Sequence, residues 1–595
     1  RDATTFSAVP TTRSYRPLVS TLLAIDYQLG HGLDPFWFHL SIFALFIALT
    51  LLVAFVIHHL LEHEAASLPS WIALAAAAWY ALDPANADTV NYIIASADVI
   101  STLGVIASFA VYFAFPRLRG YHLYVLPAAI AILAKPPAAI FAVLFAVFRL
   151  LFPDHEIAGS RPQARARLVE AAPAFVACAL VLLLVKHMTP VSWRPGEVNA
   201  HDYLVTQPYV ALLYFKTFFW PTGISAVYDL KPFVTFGDAR LWIGFAFLLC
   251  ISAAAIVAAV FNKTRVIGFG LLWFLIALLP TSLFPLAEVM NDHRAFLPYI
   301  GLVIAIAGAA ALLVARLDGQ RRWAKIAVTC AVALLFLCAN AYATFQRNKI
   351  WKSEETLWQD VVSKSPRNGI GLISYGTTLA KKGDLAGALD YFHRAQQLVP
   401  GIPLLLVNLA IVEDATKQTA AAEQHFKEAL RLAPSFPATY AHYARYLLSH
   451  SRTDEARALL RTAVQLSRND LYARELLKEA EKRAGGVQPF DAAPPAIGQT
   501  LNPTAQATPE SYLALSLQLY GEERYIEAIF ACRRALDLRP GYAEAWNNIG
   551  IIYNKLGRYE EAAAACEQAL LHQPGYEKAR VNLEYARAKL KASGK

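Results

Sequence analysis

Ionisable side chains are sparse in the first 345 residues, and those beside apolar runs gather at one boundary. Asp83, Asp88 and Asn91 open one run, with Asp98 two turns deeper. Lys135 sits before a Pro-Pro turn, and Glu288, Asp292, His293 and Arg294 share one short loop. A charge at the centre of a membrane helix costs at least ~2.5 kcal/mol, so such residues are site candidates by default. Arginine, lysine and histidine there suit a phosphate, and a neighbouring carboxylate suits a base or a divalent metal ion. The expected substrate has a membrane-embedded tail and a polar head at the interface. Simpler readings stand beside these. Asp83 precedes Pro84 and reads as a helix cap; His293 and Arg294 can snorkel to the interface. His58, His59 and His63 have a spacing that could face a metal, but they read better as a His-rich helix end at the cytoplasmic interface.

The elements that must hold these residues follow from composition. Of the 595 residues, 56% are hydrophobic and 17% charged, far from a soluble enzyme. Up to residue 345 there are 22 Lys and Arg with 18 Asp and Glu, against 32 and 27 afterwards; the two parts face different solvents. Apolar runs long enough to enter or cross a bilayer lie at 36–61, 68–82, 90–115, 121–134, 138–152, 168–186, 206–222, 240–261, 265–285, 297–315 and 323–343. Basic residues collect in four connections: Arg117 and Arg119; Arg149 through Arg161, Arg165 and Arg167; Lys263 and Arg265; and Arg316, Arg321, Arg322 and Lys325. The positive-inside rule makes these cytoplasmic. The remaining connections, the candidate site and everything after Tyr342 are then extracytoplasmic. Residues 203–239 must begin and end outside, so the run at 206–222 is expected to be in-plane or re-entrant. An outside N-terminus that starts at Arg1 rather than Met is expected to have an upstream segment.

After residue 345 a period of 34 residues emerges. Pro540 and Pro574, Ala528 and Ala562, Cys532 and Cys566, and Ala535 and Ala569 are each one period apart. Trp546, Ile549, Gly550, Tyr553, Ala562, Ala569 and Pro574 resemble the tetratricopeptide (TPR) pattern. Earlier copies run through Gly376, Ala388, Phe392, Ala395 and Pro400, then Ala422, Phe426, Ala429 and Pro434, then Tyr440, Ala456 and Ala463. Three repeats are expected in one block and two in another, with helices near 471–484 and 576–592 as solvating caps. Such arrays bind a protein or peptide on a concave face. The charge balance gives nucleic acid no support as a partner, and no CxxC, CxxCH or HExxH motif is present. A thiol reagent that cannot cross membranes is expected to report the side of the repeats through Cys566, provided that thiol is accessible.

Several runs together resemble the membrane-plus-TPR glycosyltransferase family, which in animals comprises the transmembrane and TPR-containing O-mannosyltransferases. They are Ser14 to Leu18, Asp83-Pro84 through Val90 to Ile93, Lys135-Pro136, Tyr203 to Gln207 with Tyr214, Tyr228-Asp229, Trp273-Phe274, and Asn291 to Pro298. Trp351 to Trp358, followed by Lys364 to Asn368, is similar to that family's junction into its repeats. The chain looks like a bacterial relative. The resemblance implies a GT-C-type fold, a polyprenyl-phosphate-linked sugar donor, and transfer to an acceptor hydroxyl on the outer side, with protein presented by the repeats. Carried over, His293, Arg294, Lys135 and Arg16 would meet donor phosphate or sugar. Asp88, with Asp83, would stand at the acidic catalytic position, and Asp88, Glu288 and Asp292 would be the candidate metal ligands. The chain departs from the family at Ala95-Ser96, where an Arg is usual, at Asp83, where a His is usual, and at Pro136, where an acid is common. The family's first acidic pair would fall upstream of Ser14, so the main acid is expected before Arg1.

The expected architecture is all-α: an extracytoplasmic segment 1–35, a GT-C-like membrane domain 36–345, TPR blocks 346–484 and 509–595, and a linker 485–508. The expected function is glycosyl transfer in a bacterial cytoplasmic membrane, in contact with membrane lipids. The competing class is a catalytically silent TPR scaffold that assembles an envelope complex. A transporter fits less well, since the ionisable residues line one face and do not continue through the bilayer.

Overall fold

The computed structural model of the chain describes residues 14–63, 68–152, 164–189, 199–317, 322–434, 436–467, 470–484, 508–521, 525–555 and 559–592. The expected N-terminal stretch up to Arg13, the basic residues Arg161 and Arg321, and the expected linker from Gly485 to Ala507 lie outside these. Among the described residues every regular element is a helix. The chain divides into two compact units, one chiefly of residues 35–352 and one chiefly of residues 353–595.

The first unit contains α1 (Pro17–Leu29), α2 (Pro35–His63), α3 (Pro69–Leu82), α4 (Pro84–Asn91), α5 (Ser96–Ala114), α6 (Leu126–Ala131) and α7 (Phe141–Leu151). It continues with α8 (Ala164–Met188), α9 (Ala200–Phe219), α10 (Ala239–Val260), α11 (Arg265–Leu283), α12 (Phe296–Arg316) and α13 (Arg322–Ile350). Among the described residues, seven spans are long and apolar enough to cross a membrane: those of α2, α5, α8, α10, α11, α12 and α13. Helix α9 covers most of the run expected to be in-plane and, at 20 residues, is not among them. Large apolar side chains cover the outer faces of the spans, among them Leu180, Leu183, Leu249, Val257, Val332 and Leu335. Apolar surface along seven such spans suits a lipid surrounding. This is a multi-pass membrane domain.

Its interior is aromatic. Phe109, Phe145, Phe148, Phe269 and Trp273 pack ring against ring and are almost wholly buried. Small residues set the closest helix approach. A Cβ on Gly270 would lie 2.4 Å from the Gly301 carbonyl oxygen, and one on Gly301 would lie 2.5 Å from that of Gly270. Helices α11 and α12 therefore touch backbone to backbone, the membrane use of small residues. Their connection carries residues 284–295 of the candidate site.

The second unit begins with α14 (Glu354–Lys364) and continues as helical hairpins: α15 (Gly369–Lys381) with α16 (Leu385–Leu398), α17 (Pro403–Ala415) with α18 (Thr419–Leu432), and α19 (Pro437–Ser449) with α20 (Thr453–Leu466). Helix α21 (Leu471–Ala484) follows. Then come α22 (Pro509–Gly521) with α23 (Tyr525–Leu538), α24 (Ala543–Lys555) with α25 (Tyr559–His572), and finally α26 (Glu577–Ala592). This is a TPR solenoid in two blocks. The periodic alanines Ala388, Ala395, Ala422, Ala429, Ala456 and Ala463 are fully buried, which lets the paired helices approach closely.

Two expectations change here. Helix α21 is not a purely solvating cap: Lys478 Nζ lies 2.8 Å from Glu561 Oε1, and the Tyr553 hydroxyl donates to Glu475 Oε1 at 3.3 Å, so α21 links the two blocks. Cys566 is fully buried opposite Gly550, and burial pushes its thiol pKa up to about 11. It cannot serve as an accessible reporter.

Candidate functional site

At the end of α3 the Asp83-Pro84 step starts a new helix. Asp83 is extended, at φ −71° and ψ 122°, and its Oδ1 accepts from the Ala85 amide at 2.9 Å, capping α4 with proline in the first turn. Asp83 is fully buried and its Oδ2 has no hydrogen-bond partner. Burial raises its pKa well above the usual carboxylate range; the Ala85 hydrogen bond opposes this, and the charge of Asp292 adds to it. One turn on, Asp88 receives both arms of Arg347, Nε to Oδ1 at 3.0 Å and Nη2 to Oδ2 at 2.9 Å, and the Trp351 indole N–H at 2.9 Å. Thr344 donates to the Leu82 carbonyl at 2.7 Å, and Asn91 donates to Asn348 Oδ1 at 2.7 Å. Helix α13 and the residue just beyond it are thus tied along the α3–α4 corner.

A second group forms around Asp98. Lys135, extended before Pro136, reaches Asp98 Oδ1 with Nζ at 2.6 Å; the two side chains are 16% and 12% exposed. Burial draws the Lys135 ammonium below its usual value; Asp98 opposes this, and Arg16 and Arg294 add to it. Arg16 lies just before α1 within electrostatic reach of Asp98, and its buried Nε has no hydrogen-bond partner. His293 and Arg294 occupy a single 3-10 turn, Asp292–Ala295, capped by Asn291. His293 feels Asp98, Lys135, Arg294 and Arg16 together. Arg16, Lys135 and His293 therefore lie about Asp98, with Arg294 within electrostatic reach of Lys135 and His293, so that three cations and an imidazole share one neighbourhood. That excess of positive charge is suited to an anion.

The same 3-10 turn faces an acidic side. Asp292 is 2% exposed and its Oδ2 accepts from the Tyr228 hydroxyl at 2.6 Å. Helix α9 positions the loop that leads into the turn. Gln207 donates to the Val289 carbonyl at 3.2 Å, Tyr214 donates to the Asn291 carbonyl at 2.8 Å, and Tyr203 donates to the Thr281 carbonyl at 2.6 Å. Arg294 Nη1 donates to the Glu288 carbonyl at 2.7 Å, which orients its guanidinium from the loop's own backbone.

The expected metal ligands do not converge. Asp88 is committed to Arg347 and Trp351, Asp292 to Tyr228, and Glu288 Oε2 to the Asn291 amide at 2.7 Å. Among the described residues, the one group of three His, Cys, Asp or Glu side chains close enough to share an ion is His58, His59 and Glu62.

Family models of the tetratricopeptide repeat match residues 415–480 and 543–576. Human protein O-mannosyl-transferase TMTC4 is 23% identical over 434 residues, covering 64% of this chain and 57% of its own length. The chain is a relative of the TMTC O-mannosyltransferases. Protein O-mannosyl-transferase Tmtc3 of Drosophila melanogaster is 27% identical over 191 residues, 32% of this chain and 20% of the fly protein. The chain thus spans less than two thirds of either relative. The human match is longer than either compact unit, so it includes parts of both. Among solved structures, YrrB, a TPR protein with an unusual peptide-binding site, aligns at 18% identity over 38% of this chain and 97% of that one, with a TM-score of 0.19.

Sequence reasoning passed over the partners Arg347 and Asn348, and used Trp351 only as part of a junction motif. A signal was present: Thr344, Arg347, Asn348 and Trp351 recur at i, i+3, i+4 and i+7, one polar face at the end of an apolar helix. In the sequence Asp98 stands out by its depth in an apolar run alone, and nothing local connects it with Lys135.

Proposed function

We propose that this protein is a GT-C-type membrane glycosyltransferase that moves a sugar from a polyprenyl-phosphate-linked donor to an acceptor hydroxyl, with protein as the acceptor class. The observation that carries the reading is the gathering of Arg16, Lys135 and His293 around Asp98, with Arg294 within electrostatic reach of Lys135 and His293, in a chain related to O-mannosyltransferases. In the reaction the bond from sugar C1 to the phosphate oxygen breaks and a bond from C1 to the acceptor oxygen forms. The polyprenyl phosphate leaves with the bonding pair, and the four basic residues stabilise that charge. The acceptor's proton goes to a carboxylate. Asp88 is consumed by Arg347 and Trp351, whereas Asp83 keeps one carboxyl oxygen without a hydrogen-bond partner, which favours it over Asp88 as the acceptor of that proton. The distribution of arginines supports an extracytoplasmic side for this site and the repeats; the membrane of this reading is a bacterial cytoplasmic membrane, and the TPR blocks present the protein acceptor.

The test is donor binding and transfer by the purified full-length protein. His293→Ala and Arg294→Ala should abolish binding of a polyprenyl-phosphate sugar without changing expression. Asp83→Asn, which keeps the capping oxygen, should retain donor binding and lose transfer. Unaltered binding in the first two variants removes these residues from the site. The competing reading, a TPR scaffold without catalysis, is favoured by one observation: the acid at the expected catalytic position, Asp88, is fully used as an internal tie. Donor binding without transfer to any acceptor would support it.

A further inference from the structure

The last turns of α2 hold a group that the proposed reaction does not use. His58 and Glu62 are four residues apart and His59 and Glu62 three, so the carboxylate stands over both rings on one side of the helix. His58 Nε2 lies 3.1 Å from Glu62 Oε1, and one donor atom of each of the three residues lies within 4.8 Å of those of the other two. Both rings are oriented from behind. Ser70, in the first turn of α3, meets His58 Nδ1 at 3.3 Å, and His58 Nε2 donates toward the Glu62 carboxylate, where a bound metal would take the proton's place. His59 Nδ1 meets the Phe55 carbonyl at 3.0 Å; a carbonyl can only accept, so this nitrogen carries the proton and the other keeps its lone pair. The His59 ring is also fixed sideways, 4.2 Å from the Phe55 ring and stacked on Phe113 at 5.5 Å and 20°. A backbone carbonyl behind one imidazole and a hydroxyl behind the other is the outer arrangement that metal-binding histidines use.

We infer that His58, His59 and Glu62 form a binding site for one divalent transition-metal ion of the zinc class. Two neutral imidazoles and a carboxylate are a ligand set that zinc accepts with water in the fourth position, whereas calcium and magnesium want oxygen ligands. Ligand bonds of about 2.1 Å put tetrahedral donor atoms roughly 3.3 Å apart, close to the His58–Glu62 separation. Glu62 is half exposed, so its side chain can turn to close the set. The site lies on residues separate from the Asp98 group and stands or falls independently of the sugar-transfer reading.

The experiment is a Co²⁺ titration of the full-length protein, purified in detergent and stripped with EDTA, followed by visible absorption and then by displacement with Zn²⁺. One equivalent of Co²⁺ with intense tetrahedral bands, displaced by Zn²⁺ but not by Mg²⁺, is expected. The variant His58→Ala/His59→Ala should lose that equivalent, and Glu62→Gln should bind about tenfold or more weakly. Because Glu62 is half exposed, its variant tests the site even if the double variant does not fold. Equal stoichiometry and affinity in the wild type and Glu62→Gln, or no Co²⁺ band in the wild type, overturns the inference.

Discussion

Asp88 and Asp98 lie close in sequence, both are buried, and each meets a basic side chain, yet the two pairs are built for different ends. Around Asp88 every contact closes: Arg347 fits both oxygens, Trp351 adds a third donor, and the Arg347 and Asp88 side chains are 4% and 10% exposed. Around Asp98 the accounts stay open. Lys135 makes one bond, while Arg16 and Arg294 add positive charge beside it and His293 adds an imidazole. A closed pair specifies how helices sit. An overcharged one is suited to an anion.

The largest effect should come from breaking the closed pair. Arg347→Met leaves Asp88 buried without its cation, and removing one member of such a pair costs about 3–5 kcal/mol. Thermal unfolding of the detergent-purified variant should show a large loss of stability, and Asp88→Leu added to Arg347→Met should recover most of it, since an apolar pair carries no stranded charge. If the single variant unfolds like the wild type, the pair is not the tie described here.

The open pair should respond in the opposite sense. Asp98 competes with a bound phosphate for Lys135, so Asp98→Asn should tighten binding of a polyprenyl phosphate about three- to tenfold, on the order of 1 kcal/mol. The same ligand should then raise the unfolding temperature of the variant more than that of the wild type, because a ligand stabilises in proportion to its affinity for the folded state. Weaker binding in Asp98→Asn would mean that Asp98 positions Lys135 rather than competing for it, and the contrast with Asp88 would collapse.

What could be read from the sequence divides along the same line. Local periodicity revealed the apolar helices, the 34-residue repeats and the proline that starts α4, because each depends on neighbours within a few turns. The phosphate candidates were legible as types: Lys135, His293 and Arg294 are costly at a membrane boundary wherever they point. Their convergence on Asp98 was not, because α5, the Lys135 turn and the 292–295 turn meet only in three dimensions. The expected metal ligands failed for the same reason. Nothing near Asp88 announces an arginine 259 residues later, and that arginine lies beyond the apolar run that marked its helix.

A third pair sharpens the comparison because it lies on the solvent side. In the TPR unit Glu423 meets Lys427 at 2.9 Å, Arg452 at 2.8 Å and the Tyr443 hydroxyl at 3.1 Å. These contacts, Lys427 first and then Arg452, pull its carboxyl pKa down to about 2. A depressed carboxylate contributes stability above the pKa of the unfolded chain, about 4.3; that stability is lost as pH falls through the folded value near 2. Water screens the group, so the contribution at neutral pH should be only about 0.2–1 kcal/mol. Hydrogen exchange of α18 to α20 in the full-length protein should therefore be slightly faster in Glu423→Gln than in the wild type at pH 7, and the two should approach each other as the pH drops toward 2, after correction for the intrinsic exchange rate. A difference as large as that expected for Arg347→Met would mean that exposure is not what separates the two pairs.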